Sequence, residues 1–171
     1  MKKTSPSGGG LHPIEIYPLV LNAEGLTPGL YHYSLERHAF DQLEALDVHA
    51  ARDLANELTA GQRYTRNAGV LFLMTARFFR NFWKYRRHDK AYSVLQMDAA
   101  HLSQTLYLVC AELGLGAFFT AAVNGRNIEQ RLGLDGFQEG ALAVCGCGHA
   151  TADSLRVGPQ FQDFEATENR V

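Results

Sequence analysis

No apolar run in the chain approaches the length of a bilayer, which excludes a membrane-spanning helix. Net charge is nearly absent: 16 Lys and Arg against 18 Asp and Glu leave −2, so no global field draws the chain to nucleic acid or acidic membranes. Cysteine is scarce and odd in number at 3. Cys145 and Cys147 sit one residue apart on a strand-like run, poor geometry for a mutual bridge; this predicts a reducing compartment and no disulfide framework. No apolar stretch follows Lys2 and Lys3, so no secretory signal is expected, and the expected location is cytoplasmic. The 7 histidines make no metal-ligand spacing with one another or with Cys, Asp or Glu, and no metal is expected. A Walker-type Gly-Lys-Ser/Thr is missing, which excludes a P-loop, and the lack of G-x-S-x-G excludes a hydrolase nucleophile elbow. There is no internal repeat and no dividing linker.

What is present suits one domain: 171 residues, 46% of them apolar. Residues 13–22 alternate as a strand, with Pro18 pushing it toward an edge or bulge. "NAEGLTPG" is a turn, and residues 30–35 return as the second strand of a hairpin. A helical pattern covers 45–58. Residues 68–78 are continuously apolar, as in a strand buried on both faces. Residues 98–113 form the clearest helix, apolar almost all round, with Ser93 or Asp98 as candidate cap and Gly114 as its left-handed stop. A helix this apolar either crosses the middle of the domain or meets a second copy of itself. His101 on it reads as a hydrogen-bonded core histidine. A short helix at 127–134, capped by Asn124 or Asn127, precedes a core strand at 140–148. The order β-β-α-β-α-α-β gives an α+β domain over 1–150, with a mixed or antiparallel sheet flanked by helices, and a polar tail over 151–171.

Three stretches carry candidate chemistry. "SPSGGGLHP" offers backbone N–H groups able to approach a ligand closely, with Ser5 and Ser7 as hydroxyl donors; a flexible leader has the same composition. In "RFFRNFWKYRRHDKAY" (residues 77–92) basic and aromatic residues interleave. That pattern fits a stacking platform for single-stranded nucleic acid, an amphipathic helix with a solvated basic face, or a site in which Lys84 serves as a general base beside Tyr85. "GLGAFFTAAVNG" (residues 114–125) is either a helix stop and a short strand or a backbone wall against a planar ligand.

Taken in order, "SPSGGGLHPIEIY", "GLTPGLYHY", "WKYRRHDKAYSVLQMDAAHLSQTLYL", "ELGLGAFFTAAVN" and the strand ending "CGCG" resemble the SagB-type (azoline) dehydrogenases, a branch of the nitroreductase-like FMN flavoproteins, and within it the peptide-maturation dehydrogenases. The resemblance runs from Ser5 to Gly148. It implies a nitroreductase-like fold that forms a homodimer through long central helices, with FMN at the subunit interface. It implies that Ser5, Ser7, Gly8 and Gly9 lie against the flavin from one side and Leu115, Gly116 and Ala117 from another. It assigns catalysis to Lys84 and Tyr85. The implied reaction oxidises a thiazoline or oxazoline in a ribosomally made precursor peptide to the azole, with Lys84 taking a proton and flavin N5 a hydride, in company with a peptide cyclodehydratase. Family members carry a segment upstream of the Ser-Gly-Gly motif whose arginines grip the FMN phosphate. Here the motif starts close to Met1, so that part of the fold is expected to be missing, and Arg126 or Arg156 become candidates for the phosphate. A nitroreductase-like enzyme reduced by a nicotinamide cofactor, and a flavin-free docking partner for a peptide or maturation enzyme, remain as alternatives.

Overall fold

A computed structural model describes residues 3–151. The elements run β1 (Ile14–Val20), β2 (Gly29–Ser34), β3 (Ala39–Ala45), α1 (Val48–Leu58), β4 (Val70–Arg77), α2 (Phe78–Tyr85), α3 (Ala91–Glu112), β5 (Gly116–Thr120), α4 (Gly125–Leu132) and β6 (Glu139–Gly148), with short 3-10 turns at Gly8–Gly10 and Arg63–Asn67. The strands form one six-stranded sheet in the order β3-β2-β1-β4-β6-β5, antiparallel at every pairing. The sheet is thus the antiparallel form of the two the sequence allowed.

Side chains alternate across the strands and so build two cores. On one face, Tyr17, Leu19, Leu71, Leu73 and Val144 meet α1 and α4. The α1 residues that reach them, Ala51, Leu54, Ala55 and Leu58, fall at helical spacing on one stripe. On the other face, Ile14, Met74, Ala143 and Cys145 meet Leu95 and Ala99 of α3, with Phe78 and Phe82 of α2 packed alongside. A bulge between Met74 and Thr75 in the β4–β6 ladder shifts the register there. Below the helices Glu139 ties three strands together. It accepts from Tyr17 at 3.0 Å, from Thr75 and from Arg77 Nε at 3.1 Å, while Arg77 and Arg80 also reach Glu15. Burial and this carboxylate push the Tyr17 phenol well above its ordinary pKa.

Several expectations need correction. The order gains β3, α2 and β5. Residues 45–47 belong to the end of β3 and the N-cap of α1, where Asp47 accepts from His49 N–H at 2.8 Å and Ala50 N–H at 2.9 Å. The apolar helix starts at Ala91, so Ser93 and Asp98 lie inside it and neither caps it. Gly114 does adopt a left-handed φ of 67° past its end, and Asn124 does cap α4. His101 is exposed on this chain rather than in the core. Pro18 sits on a strand flanked on both sides, yet registered pairing of β1 with β2 covers only Leu19–Leu30 and Val20–Gly29. It stops one residue short of the proline, which has no N–H to continue it.

Candidate functional site

The glycine-rich segment is clamped to α3. Gly8 N–H donates to Asp98 Oδ1 at 2.8 Å and the Ser7 hydroxyl donates to Asp98 Oδ2 at 2.6 Å. His12 N–H donates back to Ser7 Oγ at 2.9 Å, and the Ser5 hydroxyl shares a 2.8 Å bond with that of Thr105. Asp98 is 4% exposed, so its charge is held by these donors rather than by water. The backbone must turn sharply to reach it. Gly9 and Gly10 take φ of 62° and 67°, and His12 follows at 47°, rare for a residue with a side chain.

Lys84 and Tyr85, at the C-terminal end of α2, stand over this turn. Lys84 Nζ donates to Gly9 O at 3.4 Å. A Cβ at Gly9 would lie 2.5 Å from Lys84 Nζ and 3.0 Å from Tyr85 Oη; one at Gly8 would strike Val94. Gly9 thus combines a left-handed φ with close approach to Lys84 and Tyr85, and Gly8 packs directly on Val94. Residues 84–85 and 8–9 form one cluster, Ser7 joins it through Asp98, and Ser5 sits about two turns further along α3 at Thr105. Lys84 is exposed, so this chain alone does not supply the burial that its reading as a general base calls for.

Leu115, Gly116 and Ala117 do not join that cluster. They lie past the far end of α3 and open β5, where Gly116 pairs with Gly148 and packs against Ala150. From Asp98 to Glu112 the helix advances about 21 Å, further than one flavin ring spans. Arg126 lies on α4, on the opposite face of the sheet from α3. Arg156 lies outside the described residues.

Where β2 leaves β1, two adjoining cavities open between the sheet and α3. The first, about 400 Å³, is lined by Lys3, Ser5, Ser7, His12, Tyr33 and Asp98 among others. The second, about 520 Å³, is almost wholly apolar, with Pro18, Phe40, Phe72, Leu106 and Val109 in its wall. Burial lowers the pKa of both Lys3 and His12; Arg80 adds to the effect on Lys3, and Lys3 to that on His12. Tyr33 and His38 bond at 2.6 Å at the rim. Sequence reasoning missed Lys3, Tyr33 and His38 as lining residues and took Asp98 for a cap. Only the alternation around Tyr33 hinted that it faced the same side as Ile16.

Lys84 and Tyr85 fill the space beside the Gly9 backbone, and Lys3 brings a cation to the neighbouring cavity, a donor set compatible with an anionic cofactor. The Ser5 and Ser7 hydroxyls are already engaged inward, so the segment presents backbone rather than free hydroxyl donors. Among the described residues no group of three or more His, Cys, Asp or Glu could hold a metal, and no helix is long and apolar enough to cross a membrane.

A single antiparallel sheet between two helical layers, with the glycine turn clamped to the central helix, defines an α+β protein of nitroreductase type. The chain belongs to the nitroreductase family, which it matches over residues 3–149. It is 32% identical over 147 residues to the trifolitoxin-processing protein TfxB of Rhizobium leguminosarum bv. trifolii, covering 84% of this chain and 39% of TfxB. A nitroreductase structure from Anabaena variabilis superposes with a TM-score of 0.76 at 26% identity, over 91% of this chain and 31% of that one. The fold also matches a chain of the E. coli microcin synthetase McbBCD complex, with TM-score 0.73 and 22% identity, over 88% of this chain and 57% of that one. The chain therefore spans well under two thirds of these proteins.

Proposed function

We propose that this chain is the FMN-binding portion of an oxidoreductase that dehydrogenates azoline heterocycles in a ribosomally synthesised peptide during its maturation. The observation that carries the reading is the placement of Lys84 and Tyr85 directly over Gly8 and Gly9. Nitroreductase family membership supports a flavin redox enzyme, and the 32% identity to a trifolitoxin-processing protein supports a peptide substrate.

When bound, FMN supplies the two-electron acceptor for this oxidation, with molecular oxygen restoring it afterwards. The chain's own residues do the rest. Gly8 and Gly9 let the ring systems approach the backbone, and Asp98 fixes that turn. Lys84 Nζ removes the proton from the azoline ring carbon, with Tyr85 Oη beside it to orient the ring. Lys3 offers a cation to the cofactor's anionic end. Leu115, Gly116 and Ala117 would help hold the flavin of a second subunit, since they lie too far from Gly8 to share one flavin with it. The functional unit is accordingly a homodimer, acting on a precursor peptide that a cyclodehydratase has already cyclised.

Purification tests the cofactor first. A yellow protein that releases FMN on denaturation is expected, and a colourless protein that takes up no added FMN would end the reading. With a synthetic peptide carrying one thiazoline as substrate, Lys84→Ala should lower turnover by about 10²- to 10⁴-fold while the flavin spectrum stays unchanged. Undiminished turnover would remove Lys84 from the proton transfer.

A further inference from the structure

α2 presents two unlike faces. Phe78 and Phe82 stack at 5.9 Å on the inner side, and buried Asn81 donates to Ala91 O at 2.7 Å. On the outer side Phe79 is 78% exposed and Trp83 51% exposed. Their i, i+4 spacing sets them on one ridge, and exposed Arg86 and Arg87 continue it past the helix end. Phe137, 90% exposed, stands at the other end, since its neighbour Gln138 accepts from Phe78 N–H at 2.9 Å.

Apart from Lys84, the cations on this stretch divide into two groups, with one exposed carboxylate, Asp89, between Arg87 and Lys90. Arg77 and Arg80 are committed to Glu15 and Glu139. Arg86, Arg87 and Lys90 form no ion pair among the described residues; Arg86 donates only to the Trp83 carbonyl. A chain of net charge −2 thus carries exposed aromatics bordered by uncommitted cations, immediately beside Lys84. Large exposed aromatics are costly on a free surface and mark contact sites.

We infer that the outer ridge of α2 docks an acidic peptide segment bearing apolar side chains. Its carboxylates meet Arg86, Arg87 and Lys90, and its apolar groups cover Phe79 and Trp83. Charge complementarity selects this occupant. A second copy of the chain joined about a twofold axis at this ridge would set arginine against arginine. A nucleic acid would meet a short cationic strip on a chain with no net attraction for it. The inference rests on the peptide-maturation reading for what the segment belongs to, and adds where it is held.

Trp83 is the single tryptophan, so its fluorescence reports this surface without a label. The purified protein is titrated with a short synthetic peptide of Asp, Glu, Leu and Phe, and with a counterpart in which Lys replaces the acids. A saturable blue shift and weaker acrylamide quenching are expected for the acidic peptide alone. Phe79→Ala and the double variant Arg86→Glu/Arg87→Glu should each raise Kd about tenfold or more, with thermal melting unchanged. Any of four results would overturn the inference: no saturable shift, an equal response to the Lys peptide, tighter binding of single-stranded DNA at equal ionic strength, or a shift that follows protein concentration without peptide. None of these readouts needs flavin. A colourless protein that still binds the acidic peptide sinks the cofactor reading alone, and a yellow protein that ignores it sinks this one alone.

Discussion

Asp98 shows how much can hang on one carboxylate. Both its oxygens accept from the glycine segment, and among the described residues neither the Ser7 hydroxyl nor Gly8 N–H has another acceptor. Asp98→Ala should therefore cost about 2–4 kcal/mol in urea unfolding, because it leaves two donors without partners in a partly buried place. Asp98→Asn should cost less, since its carbonyl still accepts from Gly8 and its amide can donate to Ser7 Oγ. An alanine variant as stable as the parent would show that the clamp does not hold the turn. Gly9→Ala asks a different question of the same site. A methyl group there, at φ 62°, must push Lys84 Nζ aside from 2.5 Å. The backbone penalty is about 1–2 kcal/mol, while turnover should fall far more than stability does. Equal stability and full turnover would mean that the Lys84 position is not what the reaction needs.

At the scale of elements, legibility followed how one-sided each segment is. α1 was readable from the spacing of Ala51, Leu54, Ala55 and Leu58, and β4 from its unbroken apolar run. β3 was not, because its side chains are largely exposed and "AFDQLEA" shows no buried alternation. α2 gave three readings because its aromatics point both ways, Phe78 and Phe82 inward and Phe79 and Trp83 outward. α3 was placed late because Ala91–Met97 lacks the strong apolar stripe of the residues after it. The small residues of β6 were read correctly as packing residues, and they carry a testable titration. Cys145 and Cys147 lie on β6, and burial pushes both strand thiols up to about 11. A thiol in the unfolded chain ionises near pH 9, so the unfolded state releases its protons first. Stability is thus intact below about pH 9 and declines as pH rises toward 11. The urea midpoint should fall between about pH 9 and pH 11, and Cys145→Ala/Cys147→Ala should flatten that fall. An equally steep fall in the double variant would assign it to other groups.

At the scale of the whole molecule, the central helix leaves a large apolar face open. α3 runs 22 residues, about 33 Å, and only its inner side is covered. Tyr107, Leu108, Val109 and Leu113 are exposed together near its C-terminal end, with Leu108 at 64%. The sequence expectation of a helix buried all round fails for one chain and points to what a second would cover. The proposed site has the same shortfall, with Gly8 and Lys84 at one end of α3 and Leu115–Ala117 beyond the other. Two copies of α3 packed antiparallel about a twofold axis answer both, since each copy's distal end then meets the other's glycine turn. Dimerisation and flavin binding should therefore be linked. Sedimentation should find a dimer, and dilution should release FMN together with the subunits. Leu108→Glu puts a charge in the middle of the bare face and should weaken the dimer by about 2 kcal/mol or more. Because Leu108 is far from Lys84, this variant should also lose FMN only through loss of its partner, and regain it at high protein concentration. A Leu108→Glu monomer that keeps its flavin would show that one chain holds the cofactor alone, and the cross-subunit role of Leu115, Gly116 and Ala117 would fall.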